Sequence, residues 1–482
     1  MGRRRRTGDS RRAEPRTGTP AAPVTSAPPG PAPSGLTRTP DAASPKPTDR
    51  KPSGFATLLL HLHPRTVPSE ALALPRTFGL GGIAVVLFLL LAVTGSLLLF
   101  GYEPSPERAY GSVREIIDVA PFGAFVRNVH HWAANGFLLV AFLHLLRVFY
   151  TGAHHPPRRA NWIVGLALLL LVVASNFTGY LLPWDQLAYW AVTIATGMLE
   201  YVPLVGATLL RAARGGSEVG SKTLALFFVM HVAIVPILLL VLTSFHFWLV
   251  RKGGGVVLPR LEGEDAPRRT LVPTSPNLVA REGPVALATV AVVLLVAAVI
   301  DAPLLAQANP GMSPNPAKAP WYFMGLQELL VHLHPAFAVF VVPLLAAALL
   351  VALPYLRYGE TPSGAYFHSR TGARAALAAA FAALALTPAW VLADEAVRRT
   401  PPWVPALPPA VRTGLVPVVL VCAVVGAVVL AVRRLFAATR LEAAQALLTF
   451  LIVAFVVLTV TGSLFRGQAM ALAWPWALAA AR

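Results

Sequence analysis

The chain contains nine apolar runs, each long enough to cross a lipid bilayer as a single helix. A transmembrane helix needs about 20 apolar residues, and a helix pairs all the backbone polar groups that lipid cannot. Hydrophobic residues make up 56% of the 482 residues and charged residues only 13%. We therefore predict an all-α, polytopic transmembrane helix bundle, with spans near residues 78–100, 123–150, 162–182, 223–250, 284–302, 335–356, 374–393, 412–432 and 442–464.

Arginine and lysine concentrate on one side of the predicted bundle. Basic clusters lie in the N-terminal segment and after the second, fourth and eighth spans, positions that fall on the same side when crossings are counted. The positive-inside rule assigns this side to the cytoplasm, so the N-terminus is predicted to be cytoplasmic. The net charge of +18 follows from this orientation, and we expect no nucleic-acid binding.

Four histidines lie inside these apolar runs: His130 and His144 in the second span, His231 and His246 in the fourth. Ionisable side chains at membrane depth are costly and mark functional sites. The steps of 14 and 15 residues correspond to about 21 and 22 Å along a helix. The two spans run in the same direction, which pairs His130 with His231 near the outer face and His144 with His246 near the inner face. This pattern predicts axial iron ligands for two stacked haems.

Arginines and glycines accompany these histidines. Arg127 and Arg147 each lie one helical turn from a candidate ligand, where a guanidinium suits a haem propionate; anchoring by arginines that reach to the membrane surface is the alternative. Glycines recur at 13- and 14-residue steps in the first and third spans, which would let flat macrocycles approach the backbone, although small residues also serve ordinary helix packing. These glycines are Gly82, Gly95, Gly165 and Gly179.

Several motifs follow one another in order. They are Arg127-Asn-Val-His130-His-Trp, His144-Leu-Leu-Arg147, Gly179-Tyr-Leu-Leu-Pro-Trp-Asp-Gln186, Tyr189-Trp-Ala-Val, and His231 and His246 ahead of Arg251-Lys252. Together they resemble the cytochrome b subunit of Rieske-type quinol:cytochrome c oxidoreductases, and the 15-residue second spacing is that of the chloroplast-type cytochrome bf complex. Residues 284–356 resemble the subunit IV of that complex, fused here in one chain, with Pro320-Trp321-Tyr322 at its quinol motif.

The resemblance implies a core oxidoreductase subunit in a bacterial cytoplasmic membrane, with two non-covalent b-type haems. Quinol would be oxidised near the outer face, giving one electron to a partner Rieske iron-sulfur protein, which serves a c-type cytochrome. The other electron would cross through the two haems to a quinone near the inner face, and the cycle would contribute to a proton gradient. The resemblance also implies a homodimeric complex.

The same resemblance suggests roles for individual residues. Trp321, Tyr322 and Asp185 become candidate catalytic residues at the outer site. Arg251 and Lys252 become candidates to bind a haem propionate or the inner quinone, although anchoring at the cytoplasmic membrane surface explains them as well.

Two departures from the family pattern affect the chemistry. Pro320 stands where the family has the glutamate that accepts a quinol proton; our hypothesis is that Glu328, two helical turns beyond Trp321, replaces it with His332 as a relay. The alternative is a carboxylate that faces water. Gly79 stands where the chloroplast-type protein has a haem-tethering cysteine, so we expect no covalent extra haem.

The chain is predicted to divide into five segments. They are a disordered basic extension (1–51), a four-helix di-haem core (52–255), a cytoplasmic connection (256–283), a subunit IV-like quinol-site region (284–360), and additional C-terminal helices (361–482) with no assigned role. Histidines in the polar cytoplasmic segments are predicted to be solvated: His61, His63, His154, His155 and His368.

Two other functions compete with this interpretation. A two-haem membrane anchor of a dehydrogenase or hydrogenase would share the buried histidine pairs, but would give no reason for the Pro-Trp-Asp-Gln and Pro-Trp-Tyr motifs. A transporter with a histidine proton relay would leave the 14- and 15-residue spacings to coincidence, and the purified protein would be colourless.

Overall fold

A computed structural model describes residues 65–259, 269–359, 363–398 and 406–480. Nine helices in these ranges are long and apolar enough to span a membrane, which confirms the predicted all-α polytopic bundle. The predicted extension at 1–51, together with His61 and His63, lies outside the described residues. The nine spans are α1 (Leu80–Leu98), α3 (Gly123–Tyr150), α4 (Arg159–Leu181), α7 (Ser221–Lys252), α8 (Val279–Val299), α10 (Phe337–Tyr355), α11 (Arg370–Arg398), α12 (Val411–Leu435) and α13 (Arg440–Leu464).

Shorter elements lie between the spans. Four helices occupy the connections on the side of the bundle that the sequence predicts to be outer, called the outer side below: α2 (Ala109–Asp118), α5 (Gln186–Gly197), α6 (Gly206–Arg214) and α9 (Trp321–His332). On the opposite side, which is predicted to be inner and is called the inner side below, strand β1 (Thr66–Pro68) pairs antiparallel with β2 (Leu271–Pro273). Short helical turns cover Ser69–Leu72, Leu74–Thr77, Met198–Tyr201, Thr274–Asn277, Gln468–Met470 and Pro475–Ala480, and the last turn of α10 is a 3-10 turn at Leu353–Tyr355.

The N-terminal half is a four-helix core made of α1, α3, α4 and α7, with α8 packed against α1 and α3. Aliphatic side chains fill its centre. Leu87, Val129, Ala133, Val172 and Val235 are all at most 2% exposed there. Since such burial removes apolar groups from both lipid and water, it fixes the relative rotation of the four helices by packing alone.

The C-terminal half is organised around α13, which packs along α11, α12 and the outer helix α9. Alanines repeat every four residues on α11, and Ala375, Ala379 and Ala383 are fully buried against α13. Small residues on one face allow two membrane helices to approach closely. Tyr150 at the end of α3 joins this half to the core, because its hydroxyl lies 2.8 Å from Thr449 Oγ1.

The prediction that the histidines of the polar segments are solvated is wrong for His154, and His155 and His368 are half-buried. His154 was expected to be solvated, but it is fully buried. Its ring stacks on Phe149 at a centroid distance of 5.2 Å and lies the same distance from Trp162. The short turn between α3 and α4 folds back onto these aromatic rings, and that contact could not be seen from the polar composition of the turn.

Candidate functional site

The structure brings His130 and His231 together near the outer face. Their ring centroids are 6.2 Å apart. Thr94 Oγ1 donates to the Leu90 carbonyl at 2.8 Å, so its oxygen can accept from His130 Nδ1 at 2.9 Å. His231 Nδ1 donates to the Ser175 carbonyl at 3.0 Å. With Nδ1 of both rings carrying the proton, each Nε2 keeps its lone pair, the state that a metal-binding imidazole requires.

His144 and His246 form a second pair near the inner face, with ring centroids 6.3 Å apart. A metal–imidazole bond is about 2 Å long, and a ring centroid lies about 1 Å from its nitrogen, so two rings sharing one metal ion should have centroids about 6 Å apart. Both pairs match this separation. The buried Nδ1 of His246 has no hydrogen-bond partner among the described residues.

Each of the four rings faces a glycine on a neighbouring helix. A Cβ atom added to Gly95 would lie 3.2 Å from His130 Cε1, and one added to Gly179 would lie 2.4 Å from His231 Cε1. At the inner pair, a Cβ on Gly165 would lie 3.7 Å from His246 Cε1. These glycines leave space beside the rings that a side chain would fill, as the edge of a flat macrocycle requires.

The fourth glycine is not the one predicted. Gly81 lies against His144, where an added Cβ would be 3.6 Å from Cε1, whereas a Cβ on Gly82 would meet nothing within 4 Å. The signal was in the sequence: Gly81 precedes Gly95 by 14 residues, the same step as from Gly165 to Gly179, while Gly82 breaks this repeat.

The two predicted propionate partners differ in their surroundings. Arg127 donates from both terminal nitrogens to the carbonyls of Ala302 and Pro303, at 2.8 and 2.7 Å, so it secures the outer connection. Arg147 donates from Nε to the Arg76 carbonyl at 2.9 Å, but its buried Nη2 has no partner in the described part of the chain. Arg147 therefore fits an anionic group better than Arg127 does.

At the inner end of α7, Arg251 and Lys252 are both exposed. The Lys252 ammonium lies 4.9 Å from the centroid of the Trp248 ring, a cation–π contact. Their exposed position agrees with anchoring at the membrane surface, which the sequence analysis offered as the alternative. It gives no geometric support for a quinone contact.

Asp185 is a helix cap. Its Oδ1 accepts from Ala188 N at 2.8 Å at the start of α5, and its Oδ2 accepts from Leu305 N at 3.1 Å. The side chain is buried and both oxygens are used by the backbone. We therefore correct the candidate catalytic role of Asp185: the carboxylate fixes α5 to the outer connection.

The predicted quinol motif begins the outer helix α9. Trp321 Nε1 donates to Asn135 Oδ1 on α3 at 2.6 Å, which ties the motif to the helix that carries His130. Tyr322 packs against Phe323, and Phe323 against Phe177 on α4. Burial, with the nearby Tyr180 adding to the effect, raises the pKa of Tyr322 well above its ordinary value, so its hydroxyl stays protonated.

Glu328 is not placed to accept a proton from quinol, and it does not face water. Its side chain is fully buried, and both carboxylate oxygens accept from Arg466 Nε at 3.0 and 3.1 Å. Burial alone would raise its pKa, but the hydrogen bonds from His332 and Arg466 leave the pKa of Glu328 below its ordinary value. A carboxylate held ionised in this way is a poor general base.

His332 does lie next to Glu328, as the relay hypothesis required, with Nε2 3.0 Å from Oε1. Its Nδ1 lies 2.6 Å from Asp394 Oδ2 on α11. Burial lowers the pKa of His332, but the bonds to Asp394 and Glu328 raise it more, so the pKa lies above its ordinary value and the cationic ring is favoured. Arg466 and Asp394 were missed by sequence reasoning, because both lie more than 60 residues away in a region without a recognised motif.

Comparisons with known proteins agree with this architecture. The family model described as Cytochrome b/b6/petB matches residues 67–254. Cytochrome b6 of Heliobacterium mobile is 43% identical over 192 residues, which are 40% of this chain and 88% of that protein. Cytochrome b6 of Heliomicrobium gestii is 42% identical over the same shares of the two chains.

A solved structure extends the likeness beyond the N-terminal half. A chain of the Hyperthermophilic respiratory Complex III superposes with a TM-score of 0.57 and 25% sequence identity, covering 79% of this chain and 91% of that one. The resemblance inferred from the histidine motifs is thus confirmed by identity and by fold. The chain is a multi-pass membrane protein of electron transport, and it belongs to the cytochrome b/b6 family.

Proposed function

We propose that this chain is the di-haem cytochrome b of a quinol-oxidising complex. Quinol is oxidised at the outer face, one electron crosses the membrane to a quinone at the inner face, and the other passes to a Rieske iron-sulfur protein and a c-type cytochrome. The observation that carries this proposal is the arrangement of the four histidines in two pairs. The ring centroids are 6.2 Å apart in one pair and 6.3 Å apart in the other, and each ring lies beside a glycine. A homodimeric complex in a bacterial cytoplasmic membrane is part of the proposal.

The chain's own residues define what each site does. His130 with His231, and His144 with His246, would hold two b-type haems, which supply one-electron transfer when bound. Two imidazoles on one iron leave no open coordination position, which suits electron transfer rather than oxygen chemistry. The unpaired Nη2 of Arg147 would balance a propionate at the inner haem. Trp321 and Tyr322 would form the outer quinol wall, and the hydroxyl of Tyr322, which stays protonated, would donate a hydrogen bond rather than accept a proton.

The domain assignment follows from the same sites. Residues 52–255 would be the di-haem core, 284–360 the subunit IV-like quinol region, and 361–482 an addition to it.

Gly79, which has a positive φ of 65°, offers no thiol for a covalent haem. We therefore propose that both haems are bound non-covalently. Acid acetone, which extracts only non-covalent haem, should then remove all of the haem from the protein.

The test is haem content together with quinol-dependent reduction. The purified chain should show a b-type band in the reduced-minus-oxidised spectrum, with two haems per chain. His130→Leu should lower the ratio to one haem, while His131→Leu, whose ring packs on Trp132 instead, should keep both. A colourless protein would indicate the transporter. Haem without quinol oxidation, or co-purification with a dehydrogenase instead of a Rieske protein, would indicate the membrane anchor.

A further inference from the structure

The chain folds back over the outer end of the bundle after α13 ends at Leu464. We call residues 465–476 the C-terminal strap. Gly467 N donates to the Ala471 carbonyl at 3.0 Å, and Ala473 N donates to the Phe465 carbonyl at 2.9 Å, so the strap is a tight, hydrogen-bonded turn. The family model ends at residue 254, and the resemblance to subunit IV ends at 356, so neither gives the strap a role.

Arg466 anchors the strap in a buried ionic network. Its side chain is fully buried, and Nη2 donates to Glu328 Oε1 at 2.6 Å, in addition to the two bonds from Nε. Nη1 contacts the Glu395 carboxylate on α11 and donates to the Met470 carbonyl at 2.9 Å. One guanidinium therefore connects α9, α11 and the strap itself, which the planar geometry of arginine makes possible.

Two further bonds join this region to the segment just before α9. Ala469 N donates to Asn315 Oδ1 at 2.6 Å, and Lys318 Nζ donates to the carbonyl of Ser463, close to the end of α13, at 2.8 Å. Asn315 and Lys318 lie five and two residues before Pro320-Trp321-Tyr322. The C-terminal region is thus bonded to the chain on both sides of the quinol motif, before it through Asn315 and Lys318 and after it through Glu328.

Met470 of the strap lines a cavity of about 410 Å³ between α5 and α9. The other walls include Ile194 and Met198 from the end of α5, and Leu330 and Val331 from α9. Apolar walls with few polar groups are typical of sites for hydrophobic small molecules. Gln327, one of the few polar groups on the cavity wall, bonds the Ala317 carbonyl and so belongs to the structure of the quinol motif.

We propose that the C-terminal strap forms part of the outer quinol-binding site. Met470 contacts the hydrophobic tail of the quinol, and Arg466 is the positioning residue that fixes Met470 relative to α9. This inference rests on the proposed quinol oxidation. The tail is the expected occupant because the cavity is apolar, shares the helix α9 with Trp321 and Tyr322, and lies on the outer side. The C-terminal helices, which the sequence left without a role, thereby acquire one.

Met470 variants test the contact directly, in the whole complex. The probes are menaquinol-4 and menadiol, which share a ring but differ in the tail, or the corresponding benzoquinols if the wild type oxidises only those. Met470→Ala should raise KM for the tailed quinol about fivefold, the order expected for the loss of one buried methylene contact, and Met470→Trp should raise it by filling the cavity. Neither should change KM for the tailless quinol.

The control for these variants is Met312→Ala, because Met312 is a mostly exposed methionine of the outer connection. It should leave both KM values unchanged. A KM for the tailed quinol within twofold of the wild type in both Met470 variants overturns the inference. Equal changes for both quinols do so as well, because they would place the effect at the ring or in the fold. Failure of the wild type to oxidise any quinol would instead contradict the proposed function.

Variants of Arg466 test whether this residue positions Met470 relative to α9. Arg466→Lys can pair with Glu328 but cannot also hold the Met470 carbonyl, so we expect normal haem content with KM for the tailed quinol raised about as much as in Met470→Ala. Arg466→Gln should raise KM at least as much, and Arg433→Gln, at the opposite end of the bundle, should change neither value. Full recovery of KM in Arg466→Lys would assign Arg466 to stability alone. If Arg466→Gln fails to fold, the lysine and Met470 variants still decide.

Discussion

A single methyl group at Gly179 should be enough to disturb the outer imidazole pair. An alanine Cβ there would lie 2.4 Å from His231 Cε1, and the ring is held in place on α4 because its Nδ1 lies 3.0 Å from the Ser175 carbonyl and 3.4 Å from Thr178 Oγ1. We predict that Gly179→Ala loses the outer haem and keeps the inner one, seen as about half of the b-type absorbance. Gly426→Ala is the matched control, because a Cβ at Gly426 meets nothing within 4 Å. Full haem content in Gly179→Ala would contradict the assignment of His231 and its neighbour Gly179 to the outer haem site.

The buried ring of His154 should make stability depend on pH. Burial, with a smaller contribution from neighbouring His155, lowers its pKa from 6.5 to about 3. Between these two values the unfolded chain binds a proton that the folded chain does not, so stability falls as pH falls below about 6.5. His154→Phe removes this titration and also two ring nitrogens that have no partner among the described residues.

We therefore predict that His154→Phe is more stable than the wild type by about 1 kcal/mol at neutral pH. The advantage should grow as the pH is lowered toward 5. Thermal unfolding of the two proteins in detergent at pH 7.5 and pH 5 measures it. A constant difference between the two pH values would show that His154 is not the titrating group.

At this scale, regular spacing was predictive and composition was not. The positions of His130, His144, His231 and His246 followed from helical periodicity, which acts within one element, and from the count of crossings, which gave the pairing. His154 was assigned to solvent from the polarity of its turn, whereas aromatic rings from two helices bury it. The same periodic argument could have identified Gly81, because it precedes Gly95 by 14 residues. The prediction instead named the adjacent Gly82.

Contacts between elements were the least predictable part of the molecule. Glu328 was correctly singled out as unusual, but its partner Arg466 lies 138 residues away in a segment without a motif. No local pattern encodes that distance. The role of Asp185 was misjudged for a related reason: a family motif marks a position as important, while only the structure shows that its carboxylate caps α5.

The crossing of α9 and α13 depends on glycines that let the two helices touch. A Cβ at Gly325 would lie 2.7 Å from Phe455 Cε2 and 2.8 Å from Thr459 Oγ1. Overpacking of this kind costs about 1 to 3 kcal/mol. We predict that Gly325→Ala lowers the unfolding temperature and raises KM for quinol, because α9 carries Trp321 and Tyr322. Gly426→Ala again serves as the control, and a wild-type unfolding temperature in Gly325→Ala would show that the contact is not tight.

At the scale of the whole molecule, orientation in the membrane follows from charge. Arg158, Arg159, Arg251 and Lys252 lie at one end of the core, and an acidic group that includes Glu103 and Glu115 lies at the other. The exposed carboxylates of Glu103 and Glu115 pair with Arg108, so the outer end carries its own balance of charge. With the basic end in the cytoplasm, the two imidazole pairs divide between the two faces of the membrane.

Nine spans in the described part of the chain place the two ends of the helical region on opposite sides. We predict that a reporter fused to the N-terminus is active in the cytoplasm, and that one fused after residue 480 is active outside. A green fluorescent protein fusion and an alkaline phosphatase fusion distinguish the two sides. The control is a phosphatase inserted after residue 436, between α12 and α13, which should be inactive because Arg433, Arg434 and Arg440 hold that connection in the cytoplasm. Activity of this internal fusion would reverse the assignment of α13, and would move the C-terminal strap away from the outer quinol site.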